Sequence, residues 1–183
     1  VHQFRNTFVF GNYGFKGSFC LELSIYNITF DSCIFYSNSI LSQNTSFINI
    51  SEEITGGAIY WNTNFAHISN SLFLKNRGYF GGVIYLSDTP VKIEIYNCTF
   101  EQNSAKFGGV FGMSNMGNNI SITITKSYFF NNMAQYGGCL YFNFHSKGEW
   151  TIKDSLFSGN KALKGGVLFV LKSHKNFTFY IKS

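Results

Sequence analysis

Nine carboxylates, four histidines and four cysteines are the side chains of this 183-residue chain whose types suit acid–base, metal or nucleophilic chemistry. Glycoside hydrolysis needs two carboxyl groups facing each other across roughly 5–10 Å. The acids here are scattered, at Glu22, Asp31, Glu52, Glu53, Asp88, Glu94, Glu101, Glu149 and Asp154, with no paired spacing. His2, His67, His145 and His174 stand alone, without the short intervals of a metal site. Cys20, Cys33, Cys98 and Cys139 form no CxxC and no Cys–His pairing. The sequence therefore points to no catalytic residue, no metal and no cofactor, and to a protein that is not an enzyme.

The chemistry it does offer is modification. Asn-X-Ser/Thr sequons stand at Asn27, Asn44, Asn49, Asn97, Asn119 and Asn176. N-linked glycans at these sites would fit a secreted or cell-surface product of a eukaryotic secretory pathway. An excess of Asn (20 residues), Phe, Ile, Tyr and Lys is what an AT-rich genome encodes and suggests a protist.

The elements that must carry these residues are set by an internal repeat. Gly-Gly pairs begin at Gly56, Gly81, Gly108, Gly137 and Gly165, and aromatic or branched residues follow each. Five residues before four of the pairs stand Asn76, Asn103, Asn132 and Asn160; three residues before each Asn stand Phe73, Phe100, Phe129 and Phe157. Degenerate copies place Asn12 ahead of Gly17-Ser18 and set Asn38 three residues after Phe35. The Gly-Gly of this second copy is delayed, so residues 43–55 read as an inserted loop and the period is near 27 throughout.

Stretches such as ISITIT (120–125) alternate with a period of two and are rich in β-branched residues, which suits strands. A Gly-Gly pair in every repeat argues against helix, at about 1 kcal/mol per Gly. The expected fold is all-β: a right-handed parallel β-helix of about six coils of ~27 residues, with three short strands per coil and one domain over 1–183. In such a stack Phe35, Phe73, Phe100, Phe129 and Phe157 form an interior ring ladder. Asn12, Asn38, Asn76, Asn103, Asn132 and Asn160 form a second ladder at a turn, where Asn tolerates left-handed backbone and its amide bonds to the next coil. Cys33 and Cys98 share one repeat position, but the Ser71 coil separates them by about 10 Å, beyond disulfide reach. Asp31 and Asp154 fall near one position four coils apart, too distant to cooperate.

The paired pattern FxxN…GGx[IVL], as FLKN…GGVI, FEQN…GGVF, FFNN…GGCL and FSGN…GGVL, resembles the repeats of the polymorphic outer-membrane proteins of chlamydiae and similar secreted proteins of ciliates and other protists. The resemblance implies a surface-exposed adhesive or structural β-helix. It carries over no partner, and no membrane-barrel segment accompanies it here.

Composition excludes other classes. Only 13% of residues are charged and 45% are hydrophobic, which is not a disordered chain. No run of about 18 apolar residues exists, so no membrane span is expected. Only two arginines occur and the lysines are spaced apart, so nucleic acid is not the expected partner. The formal charge of +5 is concentrated in residues 147–183, where seven lysines face Glu149 and Asp154. Residues 1–55 carry Arg5 and Lys16 against Glu22, Asp31, Glu52 and Glu53. With strand-like ends and no atypical polar cap, these charges suggest a head-to-tail homopolymer, an extracellular structural filament. The alternative is an adhesin-like module that contacts carbohydrate or a cell surface through the 43–55 loop or through Tyr60, Trp61 and Tyr85.

Overall fold

A computed structural model of the chain describes residues 2–14, 16–21, 27–40, 56–87, 91–114, 120–143, 147–172 and 176–182. Those residues form a parallel β-solenoid of about five turns without helix, close to the six coils expected. The inserted loop at 43–55 lies outside the described residues.

Three sheets run the length of the stack. The first is seven-stranded, from His2–Arg5 through Asn27–Asp31, Phe65–Ser69, Val91–Tyr96, Ile120–Thr125 and Gly148–Lys153 to Phe177–Lys182. The second holds six three-residue strands, Phe8–Phe10, Ile34–Tyr36, Leu72–Leu74, Thr99–Glu101, Tyr128–Phe130 and Leu156–Ser158. The third holds Phe19–Leu21, Ile59–Trp61, Ile84–Leu86, Phe111–Ser114, Leu140–Asn143 and Leu168–Lys172. Every pairing between these strands is parallel, and identical repeat positions stand in register: Phe73 pairs with Phe100, Phe100 with Phe129 and Phe129 with Phe157.

The alternation in the sequence is the inside–outside alternation of each strand. Ile120–Thr125 buries Ile120, Ile122 and Ile124 and turns Ser121, Thr123 and Thr125 outward. One central residue of each three-residue strand in the second sheet points inward: Val9 in the first coil, then the five phenylalanines. Those rings stack at 4.9, 4.9, 4.8 and 4.4 Å between centroids, with planes 9–15° apart. Each buried ring contributes on the order of 1.5–3 kcal/mol by leaving water, and offset stacking adds about 0.5–1.5 kcal/mol per pair.

Two features differ from the expectation. A fourth short strand follows the ladder Asn in five coils: Tyr13–Gly14 pairs with Ser39–Ile40, and Ser104–Phe107, Met133–Tyr136 and Lys161–Lys164 form a three-stranded sheet before the Gly-Gly pair. These segments (SAKF, MAQY, KALK) share little beyond Ala, so pairing comes from the register that their neighbours impose. The left-handed backbone is also not at the ladder asparagines. It falls one residue earlier, at Gly11, Ser37, Lys75, Gln102, Asn131 and Gly159, because the corner turns before the amide enters the stack. A second left-handed column, Asn6, Ser32, Asn70, Asn97, Lys126 and Asp154, marks the corner between the first and second sheets.

The Gly-Gly pairs have two different jobs. The first glycine of four pairs (Gly81, Gly108, Gly137, Gly165) is left-handed. The second glycine lies against the coil above: a Cβ on Gly57, Gly82, Gly109 or Gly138 would strike the carbonyl of the next glycine in the column.

Candidate functional site

The polar chemistry of the molecule is concentrated in the Asn ladder. The backbone N–H and the Nδ2 of Asn76 both donate to Oδ1 of Asn103, at 2.9 and 3.0 Å. Asn103 donates in the same way to Asn132, and Asn132 to Asn160. Asn12 and Asn38 begin the series. The second Nδ2 proton reaches back to the coil before, from Asn76 to Phe35 O and from Asn103 to Phe73 O. Each interior amide thus ties three coils together, and Asn38, Asn76, Asn103 and Asn132 are fully buried. The amide-to-amide links are directional: each Asn donates to the Oδ1 of the coil on its C-terminal side, and its own Oδ1 accepts from the coil on its N-terminal side.

Cysteine occupies a second such column. Cys33 N–H donates to Ser71 Oγ and Cys98 N–H to Ser127 Oγ. Ser71 and Ser127 return their hydroxyl protons to the carbonyls two residues earlier. The Ser71 coil separates Cys33 from Cys98, and all four cysteines are free thiols. Cys33, Cys98 and Cys139 are buried, whereas Cys20 is exposed. Burial pushes the Cys98 thiol up to about 12 and raises that of Cys139 further.

The carboxylates do not converge. Asp31 accepts from Ser69 Oγ and Asn70 Nδ2, and these bonds, with Arg5 and His67 nearby, lower its pKa. Glu94 is lowered chiefly by Lys92, 2.9 Å away, with His67 at 3.6 Å on its other side. Among the described residues no three His, Cys, Asp or Glu side chains group as metal ligands.

The three described sequons are all exposed. Asn27 opens its strand, Asn176 immediately precedes the last strand of the same sheet, and Asn97 sits at the corner donating to Asn70 Oδ1. Asn44, Asn49 and Asn119 lie outside the described residues. Tyr60, Trp61 and Tyr85 are not exposed: Trp61 is in the core, and Tyr60 and Tyr85 pack against one another across coils at 5.6 Å. A sugar platform on these three rings is therefore withdrawn, because each ring is covered by its neighbours in the stack.

A groove of about 840 Å³ does open on the surface beside the fourth strands. Small residues in register (Gly78, Ala105, Ala134 and Ala162) leave it unfilled, and Arg77, Lys106 and Lys161 line it with no acid among the lining residues. Lys106 Nζ donates to Tyr79 OH at 2.9 Å and lies over the Tyr79 ring. This groove was not legible in the sequence, since its cations come from three separate repeats: Arg77 and Lys161 share the position after the ladder Asn but Ser104 and Met133 stand between them, and Lys106 comes from another position. Comparison with family models, with curated proteins and with solved structures gives no match to this chain.

Proposed function

We propose that the chain is an extracellular structural glycoprotein, a β-solenoid unit that lengthens by stacking coil upon coil with further copies of itself. The observation that carries this reading is the one-way register of the stack. Identical repeat positions pair in parallel from coil to coil, and each ladder Asn donates to the Oδ1 of the next, so one surface of a coil complements the opposite surface of another. A contact of this head-to-tail kind propagates. Along the sequence, residues 147–183 hold seven lysines against two acids and residues 1–55 hold four acids against two bases, a difference that suits a contact between unlike surfaces. The likeness of its repeats to those of the chlamydial surface proteins supports a surface role, and the exposed sequons support glycosylation.

Electron microscopy of the purified glycosylated chain tests it, with fibre diffraction for an axial repeat near 4.8 Å. Unbranched fibres are expected, and Gly166→Ala should abolish them. A Cβ on Gly166 meets only Asn160 O at 3.5 Å within the chain, but it would collide with the backbone of any coil continuing the ladder. Separate rods at high concentration and physiological salt would refute the reading.

The cationic groove favours a second reading, an adhesin-like module for anionic carbohydrate. Calorimetry with a uronic acid oligosaccharide decides it: binding that Arg77→Gln weakens about tenfold supports a binding module, and no heat of binding rejects it.

A further inference from the structure

The outer faces of the sheets differ in a way that stacking along the axis does not explain. Outward positions of the first sheet are largely polar: Thr29, His67, Glu94, Thr123 and Thr151 form one of its columns. The outer face of the third sheet is aromatic but covered, with Tyr85 and Tyr141 packed under Phe80, and Tyr141 also under Phe107. The second sheet is neither polar nor covered. One outward column runs Phe8, Ile34, Leu72, Thr99, Tyr128, Leu156 and the other Phe10, Tyr36, Leu74, Glu101, Phe130, Ser158. Nine of these twelve side chains are apolar or aromatic, and only Glu101 is charged. Phe8 is 62% exposed, Phe10 57%, Ile34 39%, Tyr128 42% and Leu156 50%.

Parallel sheets are ordinarily covered on both faces. At roughly 200 Å² for a large apolar side chain, the exposed fractions of those five residues amount to about 500 Å². The partly covered Tyr36, Leu72, Leu74 and Phe130, with Tyr13 (67% exposed) beside them, bring the face to roughly 800 Å². That exceeds the 300–600 Å² of the largest patch on an ordinary monomer. It equals the ~800 Å² per partner of a standard stable interface.

We propose that this face is covered by a second copy of the chain, the two second sheets packing face to face about 10 Å apart. The surface itself argues for a second copy. It offers almost no charge by which to select a foreign partner, and it is shaped as a flat stripe complementary to another such stripe. A two-fold axis along the strands sets coil against coil in reverse order. The aromatic end, Phe8 and Phe10, then meets the aliphatic end at Leu156, Ile34 meets Tyr128, and the single acid Glu101 faces Leu74 beside the exposed Lys75. The rings of Phe8 and Phe10, and of Phe10 and Tyr36, lie nearly parallel on this face, with planes 8° and 12° apart. None of the six sequon asparagines is among the twelve positions.

Sedimentation velocity over a concentration series tests this, using the full chain carrying Gly166→Ala so that axial stacking is blocked and the two modes of association read separately. A concentration-dependent dimer is expected. Tyr128→Lys should weaken it at least tenfold, whereas Thr123→Lys, on the polar first sheet, should leave it unchanged; circular dichroism and the unfolding midpoint confirm that each variant folds. A species that stays monomeric up to about 200 µM would overturn the proposal. So would a dimer that persists in the double variant Ile34→Lys/Tyr128→Lys, or one that Thr123→Lys weakens equally.

Discussion

At the scale of single residues, the buried amide column is where one atom matters most. Asn103 Oδ1 accepts two bonds from Asn76, and its Nδ2 serves Phe73 O and Asn132 Oδ1. Asn103→Ala leaves the Asn76 donors and the Phe73 carbonyl buried without partners, each costing about 1–3 kcal/mol. A loss of roughly 3–5 kcal/mol in denaturant unfolding is expected. Asn160→Ala should cost about 1 kcal/mol, because Asn160 is only half-buried and ties to the coil before it alone. Equal losses at both positions would show that the ladder does not couple coils. The thiols give a second residue-scale test. Cys98, titrating near 12, holds only about one part in ten thousand as thiolate at pH 8. Native protein at that pH should react with a thiol reagent at Cys20 alone, and all four cysteines should react once it is unfolded. The amide column was legible in the sequence because Asn recurs at a fixed offset; of the Cys/Ser column only the shared position of Cys33, Ser71 and Cys98 was. The left-handed corner was not, since Ser37, Lys75, Gln102 and Asn131 share a conformation without sharing a side chain.

At the scale of elements, the repeat was readable where a side chain points inward. The central Phe of LFL, TFE and YFF announced the ring ladder, but the residues either side of it were passed over, and they make the apolar outer face. The fourth strand escaped notice for a related reason: SAKF and KALK carry no strand pattern of their own, and their pairing is fixed by the amide ladder before them and the glycine corner after. The second glycines permit a sharper statement. A Cβ at Gly138 would collide with the carbonyls of Gly166 and Lys161 in the coil above, whereas at Gly166 it makes only an ordinary contact with Asn160 O. Gly138→Ala should lower stability by about 3 kcal/mol, and Gly166→Ala should leave the isolated chain within about 0.5 kcal/mol of the parent. Calorimetric midpoints for the two variants settle it; a similar fall in both would mean that coil spacing is not set at this corner.

At the scale of the whole molecule, each coil touches chiefly its neighbours, with Phe80–Tyr141 and Phe111–Trp150 reaching one coil further, so stability varies along the axis approximately as a sum of coil and interface contributions. Burial already shows the gradient. Phe73, Phe100 and Phe129 are wholly buried, but Phe157 packs against Phe129 on one face only, and Leu163 and Ile181 in the last coil are 82% and 74% exposed. The motif alone does not carry this gradient, because FSGN…GGVLFV repeats the pattern of the other copies. Local opening follows the buried contacts that must be broken. Amide hydrogen exchange of the dispersed chain should therefore be slowest across 66–113 and fastest across 156–182. In the proposed filament the same 156–182 amides acquire partners from the next copy, and their exchange should slow at least tenfold while that of 66–113 changes little. Lateral pairing alone would instead slow only the second-sheet strands, in every coil at once. Protection confined to the last coil would identify end-to-end stacking, and an unchanged profile would mean the visible aggregates hold the chain by some other surface.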